Sequence, residues 1–193
     1  MKPREATAVL PHEICFGVFQ LLVWGRLVLA TGGRSIHVWT YLALIGVSTA
    51  LIAACIRKET PLRWRLRLLY YPIAMNAVFL GMGPIVDIFH PGREDAFLQR
   101  IDGVLVGTNL SLRMDSLVHP ALTEVLSLCY LLFFPYLAFS FMYYFLGDLE
   151  TLKKFCAGLF TIYGIGFIGY TLLPAVGPYV AMDGQFSHSL DGG

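Results

Sequence analysis

The sequence has 193 residues, of which 56% are drawn from AVILMFWYC and only 14% are charged, against about 25% charged in an ordinary soluble domain. Mean hydropathy is +0.65 and formal net charge +1. That much hydrophobicity excludes a disordered chain, and so few charges could not solvate the surface of a soluble globule. The near-neutral balance gives no reason to expect a nucleic-acid partner. The composition is that of a polytopic membrane protein.

Lys2 and Arg4 precede the first apolar run, residues 14–30. No small-residue cleavage site follows and Arg26 interrupts the run, so an uncleaved first helix is expected. Further apolar runs occupy residues 36–56, 68–89, 121–146 and 155–173. Crossing the hydrocarbon core takes about 20 helical residues. The runs are continuous rather than alternating, which disfavours membrane strands, and helices satisfy their own backbone in lipid. The fold class expected is an all-α membrane helix bundle with five transmembrane helices. Cys15, Cys55, Cys129 and Cys156 have no paired spacing and read as small apolar side chains.

Between the second and third runs stand Arg57, Lys58, Arg63, Arg65 and Arg67 against Glu59, which reads as a basic loop over 57–67. A second loop, 147–154, brings Lys153 and Lys154. The positive-inside rule places the N-terminus and both basic loops in the cytoplasm, with Tyr70, Tyr71, Tyr143 and Tyr144 in the aromatic belt beside them. Residues 90–120 and everything after 173 then face outward.

In that outer segment Phe97, Leu98, Ile101, Val104 and Leu105 recur with helical spacing, while Glu94, Asp95 and Arg100 turn elsewhere. The pattern predicts an amphipathic helix over 94–106 lying along the membrane surface, ended at Gly107. Pro120 and Glu124 suit the first turn of the fourth span. Asn109-Leu110-Ser111 spells a glycosylation sequon. Gly164-Ile165-Gly166-Phe167-Ile168-Gly169 spells a dinucleotide fingerprint, but that chemistry needs the glycines in a strand-to-helix turn. Inside a span, with Ala157, Thr161 and Gly164 at helical spacing, close helix packing is the better account.

Charged groups near span ends are costly in lipid and so informative. Asp87 and His90 follow Gly81-Met82-Gly83-Pro84 near the outer end of the third span, and Glu124 stands near the outer end of the fourth. With Arg26, these fit either interfacial snorkelling and ion pairing or an outward-facing polar pocket. Asp87, His90 and His119 lack the spacing of metal ligands, and no metal or other cofactor is expected. The stretch from Gly169 and Tyr170 through Pro174, Gly177, Pro178 and Tyr179 ends the fifth helix in a tight turn. It is either a plain helix stop or a rigid loop that shapes a headgroup site.

Three blocks occur in order: Asp102-x-x-Leu105-x-Gly107, Leu122-Thr123-Glu124-x-Leu126-Ser127-x-x-Tyr130, and Gly169-Tyr170-x-Leu172-x-Pro174-Ala175-x-Gly177-Pro178. Together they resemble the type 2 phosphatidic acid phosphatase superfamily, in its inositol phosphorylceramide synthase-like branch, over residues 68–179. The resemblance implies a membrane lipid phosphatase or phosphotransferase in which one histidine attacks phosphorus and another protonates the leaving oxygen, without metal. It makes residues 1–67 a two-helix membrane segment and 68–193 the N-terminal part of a phosphatidic acid phosphatase-like domain.

The resemblance stops at the chemistry. The family's catalytic histidines lie after the proline-glycine turn, in a P-S-x-H block and a later block of arginine, histidine and aspartate; neither is matched. Ser187-His188 lacks the proline and the spacing, and Tyr179 stands where relatives commonly place arginine after Gly-Pro. A chain ending before its catalytic groups is the expectation, with no catalytic residue assigned. The groups at the outer span ends, Asp87, His90 and Glu124, together with Tyr170, Gly177 and Pro178 of the last block and Tyr179 after it, are left to bind a phospholipid or sphingolipid substrate on the extracytoplasmic face. The bilayer is the other expected partner, and a homo-oligomer is open. The alternative is a non-catalytic polytopic protein, a degenerate relative acting as a helix-packing subunit. A small transporter is disfavoured, since no repeated half is visible.

Overall fold

The computed structural model describes residues 9–89 and 92–187. Among the described residues all regular structure is helical: α1 (Pro11–Thr31), α2 (Ile36–Arg57), α3 (Pro61–Phe89), α4 (Asp95–Val106), α5 (Leu110–Asp115), α6 (Pro120–Leu146), α7 (Leu149–Leu172) and α8 (Pro178–Ala181). Five of them, α1, α2, α3, α6 and α7, are long and apolar enough to cross a membrane. The expected all-α membrane bundle is the architecture observed.

Local chemistry fixes most boundaries. Pro11 opens α1, where its missing N–H costs nothing, and Gly32 closes it in the left-handed region with φ 60°, donating its N–H to Val28 O at 2.9 Å. Ser35 caps α2, its Oγ accepting the His37 N–H at 3.2 Å. Gly107 ends α4 with φ 74°, as expected of it, and the Asn109 side chain caps α5 by accepting the Leu112 N–H at 3.3 Å. Pro120 is the first residue of α6, with His119 Nδ1 accepting the Ala121 N–H at 3.3 Å. Glu124 falls beyond that first turn, a correction to its expected place beside the positive end of the helix.

The basic stretch after α2 also departs from expectation. Only residues 58–60 form a connection, and 61–67 are the first turns of α3. Likewise α7 begins at Leu149, well before its apolar run. Charge lowers the hydropathy of a window, but arginine and lysine are good helix formers, and each start has its own cap. Thr60 Oγ1 accepts the Arg63 N–H at 3.3 Å. Asp148 Oδ2 accepts the Thr151 N–H at 3.0 Å and the Thr151 hydroxyl at 3.1 Å. The Thr151 N–H, seconded by its hydroxyl, holds the Asp148 carboxyl below the usual aspartate value.

The described residues divide into two compact units. The first holds α1, α2, α3, the end of α6 and α7. There α1 packs on α2, α3 and α7, and α3 on α2 and α7. Phe16, Phe19, Leu27, Leu68, Tyr71, Ile85 and Leu152 are buried at its centre. The Phe19 and Phe167 rings stack with centroids 5.4 Å apart. A Cβ on Gly164 would meet Cys15 Cβ at 3.2 Å, so this glycine lets α7 approach α1. Gly166 and Gly169 of the same run are exposed, and the fingerprint lies wholly within a helix. The second unit holds α4, α5, most of α6, and the chain beyond α7. No residue of α6 is buried.

Candidate functional site

At one edge of the first unit α2 and α6 end, while α1, α3 and α7 begin. The last carbonyls of a helix lack intrahelical donors and carry partial negative charge. Arg63 Nη1 donates to Ala54 O at 2.7 Å and to Lys58 O at 3.2 Å, closing α2. Arg65 donates to Phe145 O, and to Gly147 O at 2.8 Å, closing α6. Two of the arginines in the stretch 57–67 therefore terminate helices.

Arg67 does something else. Its Nε donates to Glu13 Oε1 at 2.6 Å and its Nη2 to Glu13 Oε2, with both side chains fully buried. Glu13 Oε2 also accepts the Leu10 N–H at 2.7 Å, which fixes the carboxylate at the start of α1. The Arg67 guanidinium lies 4.4 Å from the centroid of Trp64, whose Nε1 donates to Glu59 Oε1 at 2.8 Å. Lys153 Nζ sits 4.0 Å from the same ring and donates to Glu150 Oε1 at 2.8 Å, so α7 joins the cluster. Beside it His12 is fully buried, edge-on to Tyr71 at 4.5 Å, and neither ring nitrogen has a hydrogen-bond partner among the described residues. The Tyr71 hydroxyl shares a 3.2 Å hydrogen bond with Ser48. The buried members of this cluster, His12, Glu13, Ser48, Trp64, Arg67 and Tyr71, lock α1, α2 and α3 together, and Lys153 ties α7 to them.

Arg26, awkward in the first span, has a comparable explanation. Its Nη2 reaches Phe89 O at 3.4 Å and its guanidinium lies 4.5 Å from the Phe89 ring, so it covers the end of α3.

The second unit contains a built turn. Glu94 N–H donates to Pro174 O at 2.9 Å. The Asp95 carboxylate accepts the Val176 N–H at 3.2 Å through Oδ2 and the Gly177 N–H at 3.1 Å through Oδ1. Gly177 has φ 92° and ψ 158°, a region open almost only to glycine, and Pro178 then starts α8. Farther along, Asn109 Nδ2 donates to Met182 Sδ at 3.0 Å, and buried Asp115 accepts the Ser187 N–H at 2.7 Å and its hydroxyl. The segment 174–187 is thus fastened to α4 and α5 at several points. Asp95 thus occupies the Val176 and Gly177 amides, and the side chain of Tyr179, in the first turn of α8, is exposed beside them.

The sequence candidates fall as follows. Gly177, Pro178 and Tyr179 lie together on that turn. Glu124 is exposed on α6 in the same unit. Asp87, near the end of α3, and Tyr170, near the end of α7, are exposed in the first unit. His90 and His188 lie outside the described residues. Sequence reasoning passed over Asp95, the residue that shapes the turn, although an acid in the first turn of an amphipathic helix was legible there. Its partners lie 81 and 82 residues away, a separation without any local signal.

Among the described residues no group of three or more His, Cys, Asp or Glu side chains could hold a metal ion. Comparison of the chain with protein-family models, with curated proteins and with solved structures finds no match.

Proposed function

We propose that this chain is the membrane-embedded, headgroup-binding part of a lipid phosphatase or lipid phosphotransferase of the type 2 phosphatidic acid phosphatase superfamily, similar to inositol phosphorylceramide synthases. The observation that carries the proposal is the ordered trio of sequence blocks, the last of which coincides with the turn that Asp95 holds. A rigid turn at the end of a membrane helix is the type of element that fixes a phosphorylated headgroup against the reacting groups. Five apolar helices place the chain in a membrane, and the density of arginine and lysine at 57–67 and 153–154 supports a cytoplasmic location for that edge. The turn would then face the extracytoplasmic side.

In this proposal the chain binds and orients lipid, with the bilayer and a phospholipid or sphingolipid as partners, and with self-association open. On the turn itself Gly177, Pro178 and Tyr179 would meet the headgroup, while Asp87, His90, Glu124 and Tyr170 are further lipid-binding candidates from the sequence. Phosphohistidine chemistry belongs to residues that no motif of this sequence supplies. The test is turnover by the purified chain in phosphatidylcholine vesicles given radiolabelled phosphatidic acid and an alcohol acceptor. Saturable lipid binding without phosphate release or transfer is expected. Turnover lost on changing His188 to alanine would overturn the assignment of roles, and absence of any binding would overturn the function.

A further inference from the structure

A water-soluble protein turns the polar side of a surface helix outward. The α4–α5 segment turns an apolar stripe outward as well. Two of its acids face the protein: Asp95 holds the Val176 and Gly177 amides, and Asp115 is buried against Ser187. Its apolar stripe, Phe97, Ile101, Val104 and Leu105 at i, i+4, i+7 and i+8, is left uncovered, Val104 by 85% and Leu105 by 76%. No residue of α4 is buried. Leu110, Met114 and Leu117 repeat the i, i+4, i+7 spacing through α5 and the turn after it, and Leu117 is 62% exposed.

Connection lengths limit where this segment can lie. Residues 90–94 join it to α3 and residues 116–119 join it to α6, both candidate membrane spans. A chain reaches at most about 3.5 Å per residue, so neither connection spans more than about 20 Å. Charge does not supply the attraction. Over 92–119 the segment has Arg93, Arg100 and Arg113 against Glu94, Asp95, Asp102 and Asp115, which gives no excess of positive charge to gather anionic headgroups.

We propose that α4 and α5 form an interfacial platform, with its apolar stripe sunk at the headgroup–acyl boundary of the bilayer and its acidic side carrying the segment 174–187. The attraction is apolar burial, so neutral phosphatidylcholine suffices as the partner. The platform requires the membrane location of α3 and α6 but no phosphoryl chemistry, so its failure and that of the proposed function are separately visible.

Single nitroxide labels carried through positions 97–106 test it, in the full chain with Cys15, Cys55, Cys129 and Cys156 replaced by alanine, reconstituted in phosphatidylcholine with and without phosphatidylglycerol. Collision with oxygen should peak severalfold at 97, 101, 104 and 105, and collision with a water-soluble nickel chelate should peak at 99 and 102, in both lipids. Nickel access at 104 and 105 would overturn the platform by placing the stripe in water. Low access of both reagents there would overturn it by showing a protein cover, a second copy included. Should the cysteine-free chain not fold, Val104→Trp with Trp24, Trp39 and Trp64 changed to phenylalanine gives a second readout. Brominated phosphatidylcholine should then quench its fluorescence strongly, and undiminished fluorescence would contradict the platform.

Discussion

Arg67, in the second turn of α3, and Glu13, in the first turn of α1, form a fully buried ion pair, with Arg67 Nε 2.6 Å from Glu13 Oε1. Desolvating two charges cancels much of their attraction, so the pair specifies how the helices meet more than it stabilises them. Removing one partner strands the other charge. Glu13→Gln should therefore cost about 3–5 kcal/mol in denaturant titration of the micelle-bound chain. Glu13→Leu combined with Arg67→Met should recover most of that loss. A single variant as stable as the parent would show that the pair does not hold the bundle.

The proline-glycine turn should fail for a conformational reason rather than a steric one. A Cβ at Gly177 would meet nothing within 4 Å, yet the residue sits at φ 92°. Gly177→Ala should destabilise the turn by about 1–3 kcal/mol. Asp95→Ala should release the Val176 and Gly177 amides, speeding their hydrogen exchange roughly tenfold to a hundredfold, the equivalent of about 1.5–3 kcal/mol for bonds to a charged acceptor. Unchanged exchange at both amides in Asp95→Ala would exclude the clamp.

Asp148 provides a pH-dependent element outside the spans. Its carboxyl is held below the ordinary value of 3.8, chiefly by the Thr151 N–H. A lowered native value means that its support for the start of α7 is fully present above the ordinary value and is lost as pH falls through the lowered one. Carbon-detected titration of the side chain should show a midpoint below 3.8, moving up to the ordinary value in Thr151→Val only in part, because the backbone donor remains. A native midpoint at or above 3.8 would contradict the cap.

The proposed orientation is checked by labelling in intact cells after the native cysteines are replaced. Ser111→Cys should react with an impermeant maleimide directly, and Lys58→Cys only after permeabilisation. The opposite pattern would invert the topology and move the turn to the cytoplasmic face.

The five spans were legible because an apolar window of helical length has few other uses. Residues 61–67 read as loop in the sequence because hydropathy measures the cost of charge in lipid and ignores caps such as Thr60. Arg67 could not be told from Arg63 or Arg65 by sequence, since its partner Glu13 is 54 residues away and lies before the first apolar run. α5 and α8, with 6 and 4 residues, are too short to show a period. At the candidate site, the turn at Gly177 was readable from its prolines and glycine. The Asp95 clamp was not, because pairing across such a distance depends on tertiary contact that no local spacing encodes.

The central claim, a lipid-phosphate site at the turn of residues 174–179, is tested most directly by photo-crosslinking. The vesicle-reconstituted chain would be irradiated with a phosphatidic acid analogue bearing a photoreactive group near its phosphate, beside a diacylglycerol analogue with the same acyl chains. The account predicts crosslinks to peptides containing Tyr179 that unlabelled phosphatidic acid displaces and that Gly177→Ala diminishes. Equal labelling by the diacylglycerol analogue, or labelling that leaves the Tyr179 peptide untouched, would contradict it.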